Sequence, residues 1–544
     1  MKDLGFELRL LWRIGLRKLR TLIKGPPSPP DFIRAAHYFS DGWALNMWQI
    51  LDTRHIKREL LAVKEDGFNT IILVVPWRGF QTDQLSPAYD SFYEGKLRSV
   101  MAAAERLNLS IIVRVGYSHQ VFVDSHLSGI RQAQRLLIDT ETCEAWLDYL
   151  RRLYRICHGY HSFYQGFLSW EEFWHAFANW QLLDEPTRQE MAVSSGFLDY
   201  LAAQGINEVN EIPKPDGPLQ AEYHGFTNAS IRETYNKATQ AFPGLGMEFR
   251  VDKERLPDGD AFYWAKNDDY ADIDALRYSY WAPFMGAKNE GEKLSAAEAS
   301  HLLEHMLDEV SFGGERPNHV VDQFNFVDET PLFKGVHAEI ADEEVADFLR
   351  NSVPLFLEKS RGYGIWSYRD YRQNILFNAR FLRGLHGWEV SGGRVKTLRK
   401  AGIQFGAGAV LRQYLPPPVS GLQHKVGFSS LFLAVALRKK LAGARLEARI
   451  NAGSWHEAEF SNASCELSVE IELNAGLVKA DGVILELRNI GRTIDINAVT
   501  LFHWVFRGGF RFEDGTPARH HEALVAFNRA LALHSTLEES DQTH

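Results

Sequence analysis

Ile71-Ile72-Leu73-Val74-Val75 and Ser110-Ile111-Ile112-Val113 are almost unbroken apolar runs, each followed by a stretch with helical spacing. A strand of this kind offers no face to water, which places it in a parallel sheet buried on both sides. The same alternation runs from residue 31 to about 374. Strands are predicted at Phe32–Tyr38, Asn69–Val75, Ser110–Gly116, Phe163–Trp170, Met247–Val251, Ile273–Trp281, His319–Phe324 and Tyr363–Ser367. Helices are predicted between them at His55–Lys64, Lys96–Leu107, Cys143–Ile156, Ile231–Ala241, Ala296–Val310 and Glu343–Asn351. Eight strands alternating with helices over this length predict a (β/α)8 barrel carrying insertions. Leu182–Phe226 and Lys253–Tyr270 read as long loops. An open doubly wound sheet is the alternative, but no glycine-rich phosphate motif follows an early strand, so nucleotide binding has no support.

Past residue 375 the period changes to two. Leu467, Val469, Ile471 and Leu473 alternate with polar residues, and Leu431–Leu437, Leu446–Ile450, Val483–Leu487 and Ile496–Leu501 are strand-like. Residues 375–510 therefore predict an antiparallel β-sandwich. In 511–544 a closing helix at Glu522–Leu533 precedes a polar tail. The predicted fold class is α/β: a barrel over 31–374, then a sandwich, with an N-terminal amphipathic helix and linker over 1–30.

Charge is distributed unevenly. The chain of 544 residues carries a formal net charge of −10, which argues against a nucleic-acid partner. Yet Lys2, Arg9, Arg13, Arg17, Lys18, Arg20 and Lys24 face only Asp3 and Glu7 within residues 1–24. With leucines at helical spacing between them, this segment reads as a basic amphipathic helix, suited to an anionic membrane surface or to packing on its own domain. Arginines interrupt every stretch that would serve as a secretory core, so the expected location is cytoplasmic, with peripheral contact at the inner membrane face. Gly25-Pro26-Pro27-Ser28-Pro29-Pro30 is a stiff spacer. Cys143, Cys157 and Cys465 lack metal-ligand spacing, and the sequence calls for no cofactor.

In a (β/α)8 barrel the working groups stand where strands end. Reading those positions gives Trp77 after the second strand and Arg114 in the third, with His119 beyond it. The fourth strand leads into Trp170-Glu171-Glu172, the sixth carries Tyr278 and Tyr280, the seventh ends Asp322-Gln323-Phe324-Asn325, and Trp366 follows the eighth. A mouth of indoles, phenols and carboxyl groups suits a neutral polyhydroxyl ligand. Simpler roles compete at several positions: a helix first turn for Glu171-Glu172, an internal ion pair for Arg114, core packing for Tyr278, a solvated loop for His119.

This layout resembles the clan A glycoside hydrolases, the retaining group with cellulase-like and β-galactosidase-like families. The likeness spans residues 31–374 and is carried best by Gly67–Trp77 and Gly362–Trp366. Asn378–Trp388 resembles the opening of a carbohydrate-binding β-sandwich. The resemblance implies an acid/base Glu after the fourth strand, here Glu171 or Glu172 with Glu171 preferred. It also implies a nucleophilic Glu ending the seventh strand, a Tyr from the sixth (Tyr280) touching the nucleophile, and Trp366 as the sugar floor. Trp77, Arg114, His119, Trp170, Tyr278 and Asn325 are the expected substrate contacts. Two departures stand out. Trp170 occupies the place where the family has Asn before its acid, and Gln323 occupies the nucleophile position. An amide cannot attack an anomeric carbon or carry stabilising charge. Gln323 therefore reads as a position that is Glu in the active enzyme, as in a chain changed from Glu to Gln to trap substrate. If Gln323 is native, Asp322 or Glu329 is the alternative nucleophile, or the barrel binds glycans silently.

Overall fold

The computed structural model describes residues 30–40, 42, 44, 47–80, 91–115, 136–169, 177, 180–215, 217–249, 253–255, 261–263, 275–311, 318–327, 334–399, 401–415, 430–460, 465–472 and 483–541. The N-terminal segment 1–24 lies outside them. Eight parallel strands close into a barrel: β1 (Ile33–His37), β2 (Thr70–Val74), β3 (Ser110–Val115), β4 (Phe163–Leu168), β5 (Gly246–Phe249), β6 (Arg277–Trp281), β7 (His319–Phe324) and β8 (Gly362–Ile365). Each neighbours the next in chain order, and β8 pairs with β1 through Ile33↔Gly362 to Ala36↔Ile365.

Alternation along each strand sorts the side chains. Ile71, Leu73, Val75, Ile111 and Val113 face the surrounding helices. Ile33, Ala35, Ile72, Ile112, Phe167, Tyr278 and Val320 fill the interior. The helical layer includes α1 (Ile56–Glu65), α2 (Ser91–Leu107) and α3 (Thr140–Cys157).

The segment from Leu182 to Phe226, read as a loop, holds two helices, α4 (Glu185–Ser194) and α5 (Phe197–Ala203), and the start of α6 (Gln220–Ala241). The signal for α4 was present: Asp184 caps it by accepting from the Thr187 N–H at 3.1 Å, with Pro186 in the first turn. The apolar stripe is thin. Arg188 is buried on α4 and donates to the carbonyls of Leu183 and Ile212, so a polar side chain does part of the packing. Within Lys253–Tyr270, residues 253–255 pair antiparallel with 261–263. The outer layer continues with α7 (Ala296–Ser311) and α8 (Val345–Lys359).

After β8 the chain leaves the barrel and forms an antiparallel sheet system around a second core. Its strands are β9 (Tyr371–Asn374), β10 (Glu389–Ser391), β11 (Val395–Thr397), β12 (Ile403–Phe405), β13 (Val410–Leu415), β14 (Ser430–Leu437), β15 (Leu446–Ile450), β16 (His456–Phe460), β17 (Glu466–Glu472), β18 (Val483–Asn489) and β19 (Ile494–Phe506). β16 pairs with β15 on one side and β17 on the other, joining the two layers of the sandwich at a shared strand. Leu431, Leu433, Val435 and Leu437 of β14 point into this core, as a period of two requires.

The chain then returns. Helix α9 (His521–Asp541) packs on α8 and sends Leu524, Phe527 and Leu531 into the barrel's own outer core. Asn528 accepts from the Tyr363 hydroxyl of β8 at 2.5 Å and donates to Asp66 O, next to α1, at 2.9 Å. Just before it, Arg511 grips the Asp66 carboxylate with Nε at 2.7 Å and Nη2 at 2.6 Å. α9 therefore covers β8 in the way a barrel's eighth helix does, and the sandwich sits between that strand and its helix. Among the described residues no helix is long and apolar enough to cross a membrane.

Candidate active site

Toward the C-terminal ends of the strands the barrel interior turns from apolar to ionic. Arg114 of β3 is fully buried at its centre. Its Nη2 donates to Ser169 Oγ at 2.8 Å and lies 3.5 Å from Glu248 Oε2 of β5, while Nη1 lies 3.8 Å from Asp322 Oδ2 of β7. The Ser169 hydroxyl donates in turn to Glu248 Oε2 at 2.7 Å. One guanidinium thus holds two carboxylates out of water, an arrangement that stands only because the charges are paired.

Gln323 joins this cluster because β7 is irregular. The β6–β7 register slips between Val321↔Ser279 and Gln323↔Tyr280, which marks a bulge at Asp322. A bulge turns consecutive side chains toward one face. With its amide oxygen toward the guanidinium, Gln323 accepts from Arg114 Nη2 at 3.2 Å and also from Nη1. The Asp322 carbonyl, in turn, meets His37 Nε2 of β1 at 2.7 Å across β8. That reach requires Gly364: a Cβ there would press on Asp322 O and Ile72.

Access separates the three groups. Gln323 keeps 6% of its surface exposed, whereas Asp322 and Glu248 keep none. Asp322 is therefore sealed as an alternative nucleophile, and only Gln323 borders the open side. Tyr280, half-buried, stands opposite Gln323 in the register. Trp366, also half-buried, has its N–H bound to Phe324 O at 3.0 Å. Its indole meets the His37 and Phe39 rings edge-on, each at 4.9 Å. Asn325, just past β7, is tied by its N–H to Trp281 O at 3.1 Å.

Two expected contacts are placed elsewhere. Trp77 is fully buried beside Tyr149, with ring centroids 6.5 Å apart, because it opens a short helix (Trp77–Phe80) just past β2 and packs into the outer core with the surrounding helices. Tyr278 lies in the apolar layer beneath the ionic one, stacked on Phe167 at 4.0 Å with its hydroxyl on Gln165 Oε1 at 2.9 Å. Neither can meet a ligand at the mouth. His119, Trp170, Glu171, Glu172 and Glu329 lie outside the described residues. Ser169, the last described residue before the Glu pair, is bonded to Arg114 within the cluster.

Glu248 and His37 were missed by reading only the positions beyond each strand. For Glu248 the signal is its parity: on a strand whose Met247 faces the helices, residue 248 faces inward. Burial, and then the Arg114 charge, pushes the His37 imidazole down to about 3, against the opposing bond to Asp322 O. Burial and Arg277 hold His319, at the other end of β7, down to about 3 as well. Both rings are neutral in the fold but bind protons below about pH 6.5 once unfolded. Stability accordingly falls as pH drops from about 6.5 toward 3, by roughly 1.4 kcal/mol per unit for each ring. Urea unfolding of His319→Leu between pH 7 and 5 is expected to show a slope shallower than the parent's by about that amount. Equal slopes would mean that His319 is charged in the native state.

Among the described residues no cluster of three His, Cys, Asp or Glu side chains could hold a metal. No protein-family model and no curated protein matches the chain. Solved structures similar to it include GH5_18 from Streptomyces cattleya in complex with GlcNAc, at 16% identity over 64% of this chain and 72% of that one, TM-score 0.42. An exo-β-1,4-mannosidase from Opitutaceae bacterium strain TAV5 aligns at 13% identity over 63% and 53%, TM-score 0.39. A β-galactosidase from Rahnella sp. R3 aligns at 10% identity over 63% and 51%, TM-score 0.39.

Proposed function

We propose that this protein is a carbohydrate-active barrel of the glycoside hydrolase type, taking an oligo- or polysaccharide at the C-terminal ends of β1–β8. What supports the reading is that Tyr280 stands opposite Gln323 in the register, Gln323 borders the Arg114 cluster, and the Trp366 backbone N–H bonds to Phe324 O beside them. Retaining hydrolysis needs an acid to protonate the leaving oxygen and a carboxylate to attack the anomeric carbon, ~5–5.5 Å apart. Glu171 or Glu172 supplies the acid. Gln323 holds the nucleophile's place without its charge, and Arg114 faces that place with a guanidinium suited to a carboxylate. Trp366 offers the face on which a sugar ring stacks.

A second reading, glycan binding without turnover, is favoured by one observation: the accessible residue of the cluster is an amide, and the carboxylates beside it are sealed. Both readings require binding at Trp366. Titration of the full chain with manno-, gluco- and galacto-oligosaccharides should find a ligand whose affinity drops at least tenfold in Trp366→Ala. Unchanged affinity would remove the mouth from the proposal, and detectable product from the unaltered chain would decide against silent binding.

A further inference from the structure

A cavity of about 130 Å³ lies beside the mouth, between the end of β1, helix α1 and the segments that follow β8 and β19. One wall is Phe39, whose ring also meets the Trp366 indole edge-on. The polar groups here are unevenly occupied. The Glu59 carboxylate is already engaged, by the Tyr38 hydroxyl at 2.5 Å, the Ser40 hydroxyl at 3.0 Å and Arg369 Nη1 at 3.5 Å. Arg369 spends another N–H on Glu513 O, but its Nε–H is buried and has no acceptor among the described residues. The Arg369 guanidinium lines the cavity on a side chain that keeps 16% of its surface exposed, so a ligand oxygen approaches it from the open side.

Charge selects the class of ligand. Arg58, Arg369 and Arg511 line the cavity together with Glu59 and Asp514. Asp66, 2.6 Å from Arg511, takes up the remaining positive charge. An anion entering a balanced field gains little, whereas a hydroxyl oxygen can accept from the exposed side of the Arg369 guanidinium and turn its own proton elsewhere. The rest of the wall, Ala62, Val63 and the Tyr368 ring, suits C–H faces. The volume corresponds to about four waters of liquid, the scale of one small ring or polyol. We infer that this cavity is a second binding site, for a neutral, hydroxyl-rich ligand the size of a single sugar unit.

Calorimetric titration and crystal soaks of the full chain with glycerol, D-glucose, D-mannose and inorganic phosphate test the inference. At least one neutral probe should bind at millimolar concentration with density against Arg369. Its affinity should fall at least tenfold in Ala62→Leu, which fills the space and removes no polar group, and in Arg369→Met. The melting temperature of Ala62→Leu shows whether the fold is kept. Heat and density report binding whether or not the chain hydrolyses anything, so this outcome is separate from that of the mouth. Phosphate as the sole binder, or ordered water in the cavity with no neutral probe bound, overturns the assignment.

Discussion

Replacing Gln323 by Glu is expected to raise glycoside hydrolysis about a thousandfold, the order by which one well-placed charged group changes an enzymatic rate. The substitution keeps the side chain's length and supplies the charge that an attack on the anomeric carbon needs. Arg114 is already in place to receive it, since its guanidinium donates to the amide oxygen that the new carboxylate would replace. Glu248 and Asp322 already share that guanidinium, so burial and like-charge repulsion push the new group's pKa up against the pull of Arg114. Activity should fail on the acid side as the new carboxylate takes up a proton, while the alkaline limb follows the acid at Glu171 or Glu172. Mass spectrometry after a brief reaction with an activated fluoro-glycoside should find one sugar attached to residue 323. An unchanged rate with no adduct would sink the nucleophile assignment and leave the glycan-receptor reading standing.

Deleting residues 521–541 is expected to cost the barrel its fold, although the segment lies far from β8 in sequence. Leu524, Phe527 and Leu531 are buried in the barrel's outer core, and the Phe527 ring lies 5.1 Å from that of Tyr363 on β8. Truncating a buried Leu or Phe costs roughly 2–5 kcal/mol each, so losing three approaches the ~5–15 kcal/mol that holds a typical domain together. The truncated chain should be insoluble or proteolysed. Phe527→Ala alone should remain folded with its urea midpoint lowered in line with about 3–5 kcal/mol. A truncated chain with native circular dichroism and a cooperative melt would show that α9 is an ornament on a barrel complete without it.

The barrel was legible because its strands are extreme. Ile71–Val75 has no polar residue, and the eight predicted strands overlap the eight observed. The helices at 185–203 were not, because Arg188 buries a charged side chain where periodicity looks for an apolar one. At the proposed site, Gln323, Tyr280 and Trp366 are read from position at strand ends and Arg114 from its charge inside an apolar strand; the structure puts Gln323 against Arg114 and opposite Tyr280. Trp77 lies elsewhere because position beyond a strand says nothing of the face, and at Trp77 a short helix has already begun. Glu248 and His37 failed for the converse reason: they lie within strands, where their inward parity was the signal. The bulge at Asp322 left no mark in the sequence, since it depends on the neighbouring strands.

Residues 366–520 separate β8 from the helix that covers it. During synthesis, the parallel sheet can therefore close well before its last helix has left the ribosome. Through that interval the outer faces of Phe68, Phe356 and Tyr363, which end up around Phe527 or in the core it joins, wait uncovered. A nascent chain in that state exposes apolar surface to its neighbours. Translation speed across the sandwich region, and the supply of chaperones meanwhile, should govern how much native protein a cell obtains from this message.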